Sequence, residues 1–267
     1  MSLPPILLVG CGRMGSAMLS GWREQALAGS IAVDPSPAAA GSAGPDLTVV
    51  PDAGGIPDGF HPAAVVFAVK PQNAAETLPL YRRFAGQAVF LSIMAGRTIG
   101  GMQGLLGGGA AVVRAMPNTP AAVRQGVTVA CPGAGVATPQ RTLCERLLQA
   151  IGVVAWVDDE GLLDPVTAVS GSGPAYVFLL AELMEQAAIE QGIPADLARL
   201  LARQTVSGSG ALLAASQDDA AALRVAVTSP GGTTERALSV LMAPDALPAA
   251  MSRAIAAATQ RSRELAG

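Results

Sequence analysis

The chain is 267 residues long, 51% hydrophobic and 14% charged, which excludes a disordered chain and supplies material for one or two buried cores. A formal net charge of −3 argues against a nucleic-acid partner. The single histidine, His61, leaves no histidine-based triad or His-rich metal site, and no metal is expected.

In chain order, the start MSLPPILLVG lacks a basic n-region, and its apolar run is too short for a signal peptide. Cys11, Cys131 and Cys144 are an odd count without metal-ligand spacing, and read as reduced thiols of a cytoplasmic protein. Ile6–Val9 predicts a strand, followed by a helix through about Leu27. Between them lies Gly10-Cys11-Gly12-Arg13-Met14-Gly15. A bare GxGxxG is weak, but here it follows an apolar strand and opens an amphipathic helix, the setting the motif needs. Gly10 permits a tight turn, Gly12 lets backbone approach a pyrophosphate, and Gly15 lets helix and strand pack closely. The helix start offers unpaired N–H groups to phosphate.

Ile31–Val33 predicts a second strand, ending at Asp34. An acid there would hold the ribose hydroxyls of a dinucleotide and repel a 2′-phosphate; equally, Asp34 could simply form the turn in DPSP. No Lys or Arg stands between Arg23 and Lys70, so the sequence favours NADH over NADPH, with Arg13 the one nearby cation. Further strands are expected at Val65–Val69, Val89–Ile93, Val112–Ala115, Val127–Ala130 and Val153–Val157, with a helix near Gln140–Ala150 and a flexible Gly-rich loop over 101–111. Ala68-Val69-Lys70-Pro71 and Arg114-x-Met-Pro-Asn118-Thr-Pro end two of these strands, where open α/β sheets bind ligands. Lys70 could meet a ribose or phosphate oxygen or stay a solvated strand-end lysine. Asn118 could border a nicotinamide or belong to a rigid turn.

After about residue 160 the runs 172–191, 195–215, 218–226, 233–242 and 245–265 have helical length and no strand signal. The first is apolar around most of its circumference, which with so little charge elsewhere predicts surface hidden between subunits. Glu182, Glu185 and Glu190 interrupt it, so no membrane span is expected. Thr228-Ser-Pro-Gly-Gly-Thr-Thr234 then reads as a turn baring N–H groups at a helix start, either a plain N-cap or a nest for a small carboxylate.

These motifs, with Val169-Ser-Gly-Ser-Gly-Pro-Ala-Tyr176, span residues 6 to 238 in the order of the pyrroline-5-carboxylate reductase family, which the whole chain resembles. The resemblance implies an α/β fold class: an N-terminal Rossmann-type doubly wound sheet at 1–158, followed by an all-α dimerisation domain at 159–267. It implies hydride transfer from NADH or NADPH to a small imine carboxylate, giving L-proline. It implies a cytoplasmic homodimer that often assembles further into decamers. Gly10, Cys11, Gly12, Arg13, Met14, Gly15, Asp34, Ala68, Val69, Lys70, Pro71 and Asn118 would bind cofactor. Glu160, Ser229, Gly231, Gly232, Thr233 and Thr234 would bind substrate. Thr234 would offer its hydroxyl to the imine nitrogen, with Ser229 beside it. Family members commonly carry an Asp-Asn pair where this chain has Val225-Ala226. A β-hydroxyacid dehydrogenase would need a lysine on the interdomain helix, and Lys70 is the only lysine. A non-catalytic dinucleotide-binding regulator is the other alternative.

Overall fold

The computed structural model describes residues 2–266. Its first half is one eight-stranded sheet in the order β3-β2-β1-β4-β5-β6-β7-β8. The strands are β1 Ile6–Val9, β2 Ser30–Val33, β3 Leu47–Val50, β4 Ala64–Phe67, β5 Val89–Ser92, β6 Val112–Met116, β7 Gly126–Pro132 and β8 Gly152–Trp156. All neighbours run parallel except β6 and β7. The first six follow the Rossmann order, which reverses direction between β1 and β4 and opens a crevice at their carboxyl ends.

Helices α1 Arg13–Glu24, α2 Pro37–Ala40, α3 Ala74–Thr77, α4 Ile99–Leu106 and α5 Thr138–Gln149 cover the sheet. The central strands β1 and β4 are apolar and buried along their whole length because both faces of the sheet are covered there. In β1, Ile6 and Leu8 enter a core with Met18, Trp22 and Leu147, whereas Leu7 and Val9 enter a second core with Phe67, Tyr81 and Phe90. The indole N–H of Trp22 donates to the Leu147 carbonyl at 2.8 Å and ties α1 to α5.

The structure corrects one expectation. Residues 101–106, expected in the flexible loop 101–111, belong to the capped helix Ile99–Leu106: the Thr98 hydroxyl accepts from the Gly101 N–H, and Ile99, Met102 and Leu106 bury one side. Of the glycines that suggested a loop, Gly104 has open space where a side chain would stand, and Gly101 would meet only the Thr98 hydroxyl.

The chain forms two compact units, 1–171 with 258–267, and 172–257. The first includes α6 Leu163–Val166 and a π-helical turn at Thr167–Gly171. A Cβ on Gly171 would lie 2.7 Å from Met116 Cε, so glycine permits this turn to sit against the end of β6. The second unit holds α7 Gly173–Glu190, α8 Ala195–Ala215, α9 Ala220–Ala226, α10 Thr233–Leu241 and the start of α11 Leu247–Ala266. Among its described residues only Ala198 and Ala202 are buried.

Candidate active site

In the first unit the glycine turn sits where its sequence requires. Gly10 has φ +99°, and a Cβ there would stand 2.7 Å from the Ala68 carbonyl. A Cβ on Gly15 would strike the Gly10 carbonyl, so α1 lies directly on the turn. At Gly12, by contrast, added bulk would meet nothing within 4 Å. Gly12 is the N-cap of α1 and supplies no capping side chain, so the first N–H groups of α1 face open space. This cradle fits a diphosphate: a close backbone approach, a helix start and no competing side chain.

The turn is anchored to its neighbours. Gly10 N–H donates to Val33 O at 2.9 Å, and Ala68 N–H donates to Val9 O at 2.8 Å, which fixes the ends of β1, β2 and β4 together. Cys11, Met14 and Ala68 pack on one core and Val69 on the other. Lys70 and Arg13 are exposed, and the Pro71 carbonyl accepts from Arg97 at 2.8 Å. Asp34 accepts from the Cys11 N–H at 2.6 Å through one oxygen and from the Ser36 N–H at 2.8 Å through the other. Burial, then the Asp34 charge, pushes the Cys11 thiol up to about 11, so it stays neutral beside the turn.

Asn118 is buried at the end of β6. Its Oδ1 accepts from the Val127 N–H at 3.0 Å, so that the amide nitrogen is the part of the side chain able to donate elsewhere. Glu160 does not stand free. Its Oε1 accepts from the Arg114 guanidinium at 2.9 Å and from the Ile99 N–H at 2.8 Å. Arg114 is only 5% exposed. In the sequence, Arg114 stands within a motif but has no task assigned to it. An arginine inside an apolar strand was the available signal, because a buried guanidinium requires a carboxylate.

The second unit carries Ser229, Gly231, Gly232, Thr233 and Thr234, the residues expected to bind substrate. Gly231 has φ +71° and turns the chain into α10, with Gly232 as N-cap. Two of the N–H groups expected to hold a carboxylate are already engaged: Gly231 donates to Glu235 Oε2 at 2.8 Å, and Gly232 to the Ser229 carbonyl at 3.0 Å. Helix N-termini need such partners, and a glutamate in the first turn supplies one. Thr233 and Thr234 are the first two residues of α10, and Ser229 is exposed on the preceding turn.

The family model for pyrroline-5-carboxylate reductase dimerisation matches residues 160–265. Pyrroline-5-carboxylate reductase of Pseudomonas aeruginosa is 37% identical over 100% of this chain and 98% of its own length. That of Haemophilus influenzae is 33% identical over 97% of each chain. Among solved structures, a pyrroline-5-carboxylate reductase from Coxiella burnetii superposes with a TM-score of 0.90 at 31% identity, covering 99% of each chain. A Plasmodium falciparum pyrroline carboxylate reductase with NADP bound reaches 0.83 at 26% identity, covering 100% of each. With this likeness running from end to end of both chains, the protein belongs to the pyrroline-5-carboxylate reductase family.

Proposed function

We propose that this protein reduces 1-pyrroline-5-carboxylate to L-proline, the last step of proline synthesis, with NADH or NADPH as hydride donor. The observation that carries the reading is full-length likeness to pyrroline-5-carboxylate reductases in a chain whose glycine turn keeps an open, uncapped helix start.

The dihydronicotinamide, when bound, supplies the hydride. The chain's own residues bind, orient and exclude water. Residues Gly10–Gly15 cradle the diphosphate, Ala68–Pro71 line the adjoining strand end, and Asn118 turns its amide N–H groups toward the nicotinamide side. The Arg114–Glu160 pair holds the Asn118 loop in register, because it joins β6 to the start of α4. Glu160 is thus assigned first to positioning, and a substrate contact would fall to Oε2. Ser229, Thr233 and Thr234 receive the substrate carboxylate and imine nitrogen at the start of α10. Reduction forms a C–H bond at the imine carbon while the C=N π pair becomes the nitrogen lone pair. A substrate entering as its iminium already carries the N–H, so no strong general acid is needed, and the Thr234 hydroxyl orients the ring.

Residues 1–158 are the dinucleotide-binding part in this reading, and 159–267 supply the substrate loop and a dimer surface. The protein acts in the cytoplasm as a homodimer, open to further assembly into a decamer, without nucleic acid or membrane. The test is steady-state oxidation of NADH and of NADPH with and without 1-pyrroline-5-carboxylate. Imine-dependent oxidation supports the assignment. Bound cofactor with no imine-dependent oxidation overturns it in favour of a dinucleotide-binding regulator or a different imine.

A further inference from the structure

The loops that leave β4 and β5 are stitched together at the carboxyl edge of the sheet. Ile93 N–H donates to the Phe67 carbonyl at 3.1 Å, and the buried Ser92 hydroxyl accepts from Met94 N–H at 3.3 Å. Gly96 then turns the chain with φ +67°. A Cβ there would stand 3.1 Å from the Leu265 carbonyl, so the loop sits directly against the last turns of α11. Arg97 follows, half-buried, and donates through Nε to the Pro71 carbonyl at 2.8 Å. That bond fixes the guanidinium across the two strand ends and leaves its Nη–H groups able to donate elsewhere.

Those groups lack an anion. Among the described residues Arg97 makes no ion pair. Glu160, which reaches the Ile99 N–H two residues further on, is engaged by Arg114. Asp164 is engaged by Ser262, one turn before Leu265. A guanidinium drawn partly out of water needs a counter-charge, and a bound ligand can supply it. Open α/β sheets take their ligands at this edge. Arg13 and Lys70, exposed after β1 and β4, give the edge the same positive sign. Both ligands of the proposed reaction are anions, the dinucleotide through its diphosphate and the imine through its carboxylate.

We propose that Arg97, held through Nε on the Pro71 carbonyl, is a ligand-binding residue whose Nη–H groups take an anionic oxygen of the cofactor or of the imine substrate. The proposal rests on the reading of the chain as an NAD(P)H-dependent imine reductase, and adds a residue to that site. Diphosphate and carboxylate offer a guanidinium the same charge-assisted hydrogen bonds. The experiment separates them.

Full-length wild type is compared with Arg97→Gln. Equilibrium binding of NADH over a range of salt, followed by nicotinamide fluorescence, reads a phosphate contact. Steady-state kinetics with 1-pyrroline-5-carboxylate and with 1-pyrroline, the same ring without the carboxylate, read a carboxylate contact. A phosphate contact raises the Kd of the variant for NADH by about tenfold or more, and makes that Kd less sensitive to salt. A carboxylate contact raises the KM for 1-pyrroline-5-carboxylate by about tenfold or more, with the KM for 1-pyrroline and the Kd for NADH unchanged. Arg97→Lys, which keeps the charge without the planar fork, should lose less in whichever arm responds. Parallel losses for both imines, with the salt dependence of NADH binding unaltered, would mean that Arg97 only holds Pro71, and would overturn the proposal. Wild-type values throughout would overturn it too. Wild-type protein that binds NADH but oxidises it with neither imine sinks the reductase reading instead, and the NADH arm alone then decides for or against Arg97.

Discussion

Thr234 sits in the first turn of α10, where a hydroxyl can meet a ligand atom without disturbing a core, being only half-buried. Thr234→Ala should therefore cut kcat by about tenfold or more, about 1.4 kcal/mol of barrier, with NADH affinity nearly unchanged. Wild-type kcat in that variant would defeat its role. The thiols make a second residue-scale prediction. Burial pushes the Cys144 thiol from 9.0 up to about 12. The folded state thus prefers the neutral thiol. Its contribution to stability is fully present below about 9 and is lost as pH rises from there toward 12. Melting temperature should fall across that window, and less steeply in Cys144→Ala; equal slopes would refute the assignment. At this scale the sequence revealed types better than partners. The glycine turn was legible because φ and packing demand glycine at fixed spacing. The Arg114 clamp on Glu160 was not, because it joins positions 46 residues apart.

Each unit has a small polar device that holds elements carrying proposed site residues. The Arg114–Glu160 pair ties β6 to α4, with Arg114 buried and Glu160 partly so. Removing the guanidinium leaves a carboxylate without its cation, so Arg114→Met should lower stability by about 3 kcal/mol. Glu160→Gln keeps an oxygen for the Ile99 N–H but leaves the buried Arg114 guanidinium without its counter-charge, so it should cost about as much. Urea unfolding midpoints check both variants, and a loss under about 1 kcal/mol in either would mean that the pair is not the linking element. In α10, Glu235 reaches back to the Gly231 N–H. Glu235→Ala should free that donor and loosen the loop, so the KM for the imine substrate should change while NADH affinity does not; an unaltered KM would leave the contact a cap alone. Most strands were legible from apolar runs with turn residues at their ends. Strand β3, Leu47–Val50, was not: it is a four-residue edge strand with partial burial, too short to show a pattern. The helix at 99–106 was hidden because its glycines lie on the outer face, where packing does not oppose them.

For the molecule as a whole, the second unit poses a covering problem. Among the described residues of 172–257 only two alanines are buried, while Val177, Phe178, Leu179 and Leu180 are all exposed, Phe178 at 67%. Consecutive helical residues point about 100° apart, so these four occupy most of the circumference of α7 and no single neighbour can cover them. By length and composition Glu160–Glu190 could also cross a membrane. The two covers differ in how they treat charge. Glu182 and Glu185 lie on this helix, and Arg199 pairs with Glu185 at 3.0 Å. A carboxylate at the centre of a bilayer costs about 2.5–3.5 kcal/mol, whereas in a protein interface it can stay at the rim. The matching dimerisation model spans 160–265, and so includes the exposed face. The favoured cover is therefore a second copy of the chain, which buries the apolar stripe and leaves the glutamates at its border. Light scattering should give twice the chain mass. Phe178→Asp places a charge in the centre of that stripe and should yield single chains with a melting temperature lower than wild type. The wild-type melting temperature should also rise with protein concentration, as expected where folding and association are linked. A wild-type mass of one chain, or flotation of the purified protein with lipid vesicles, would show that something other than a second copy covers this face.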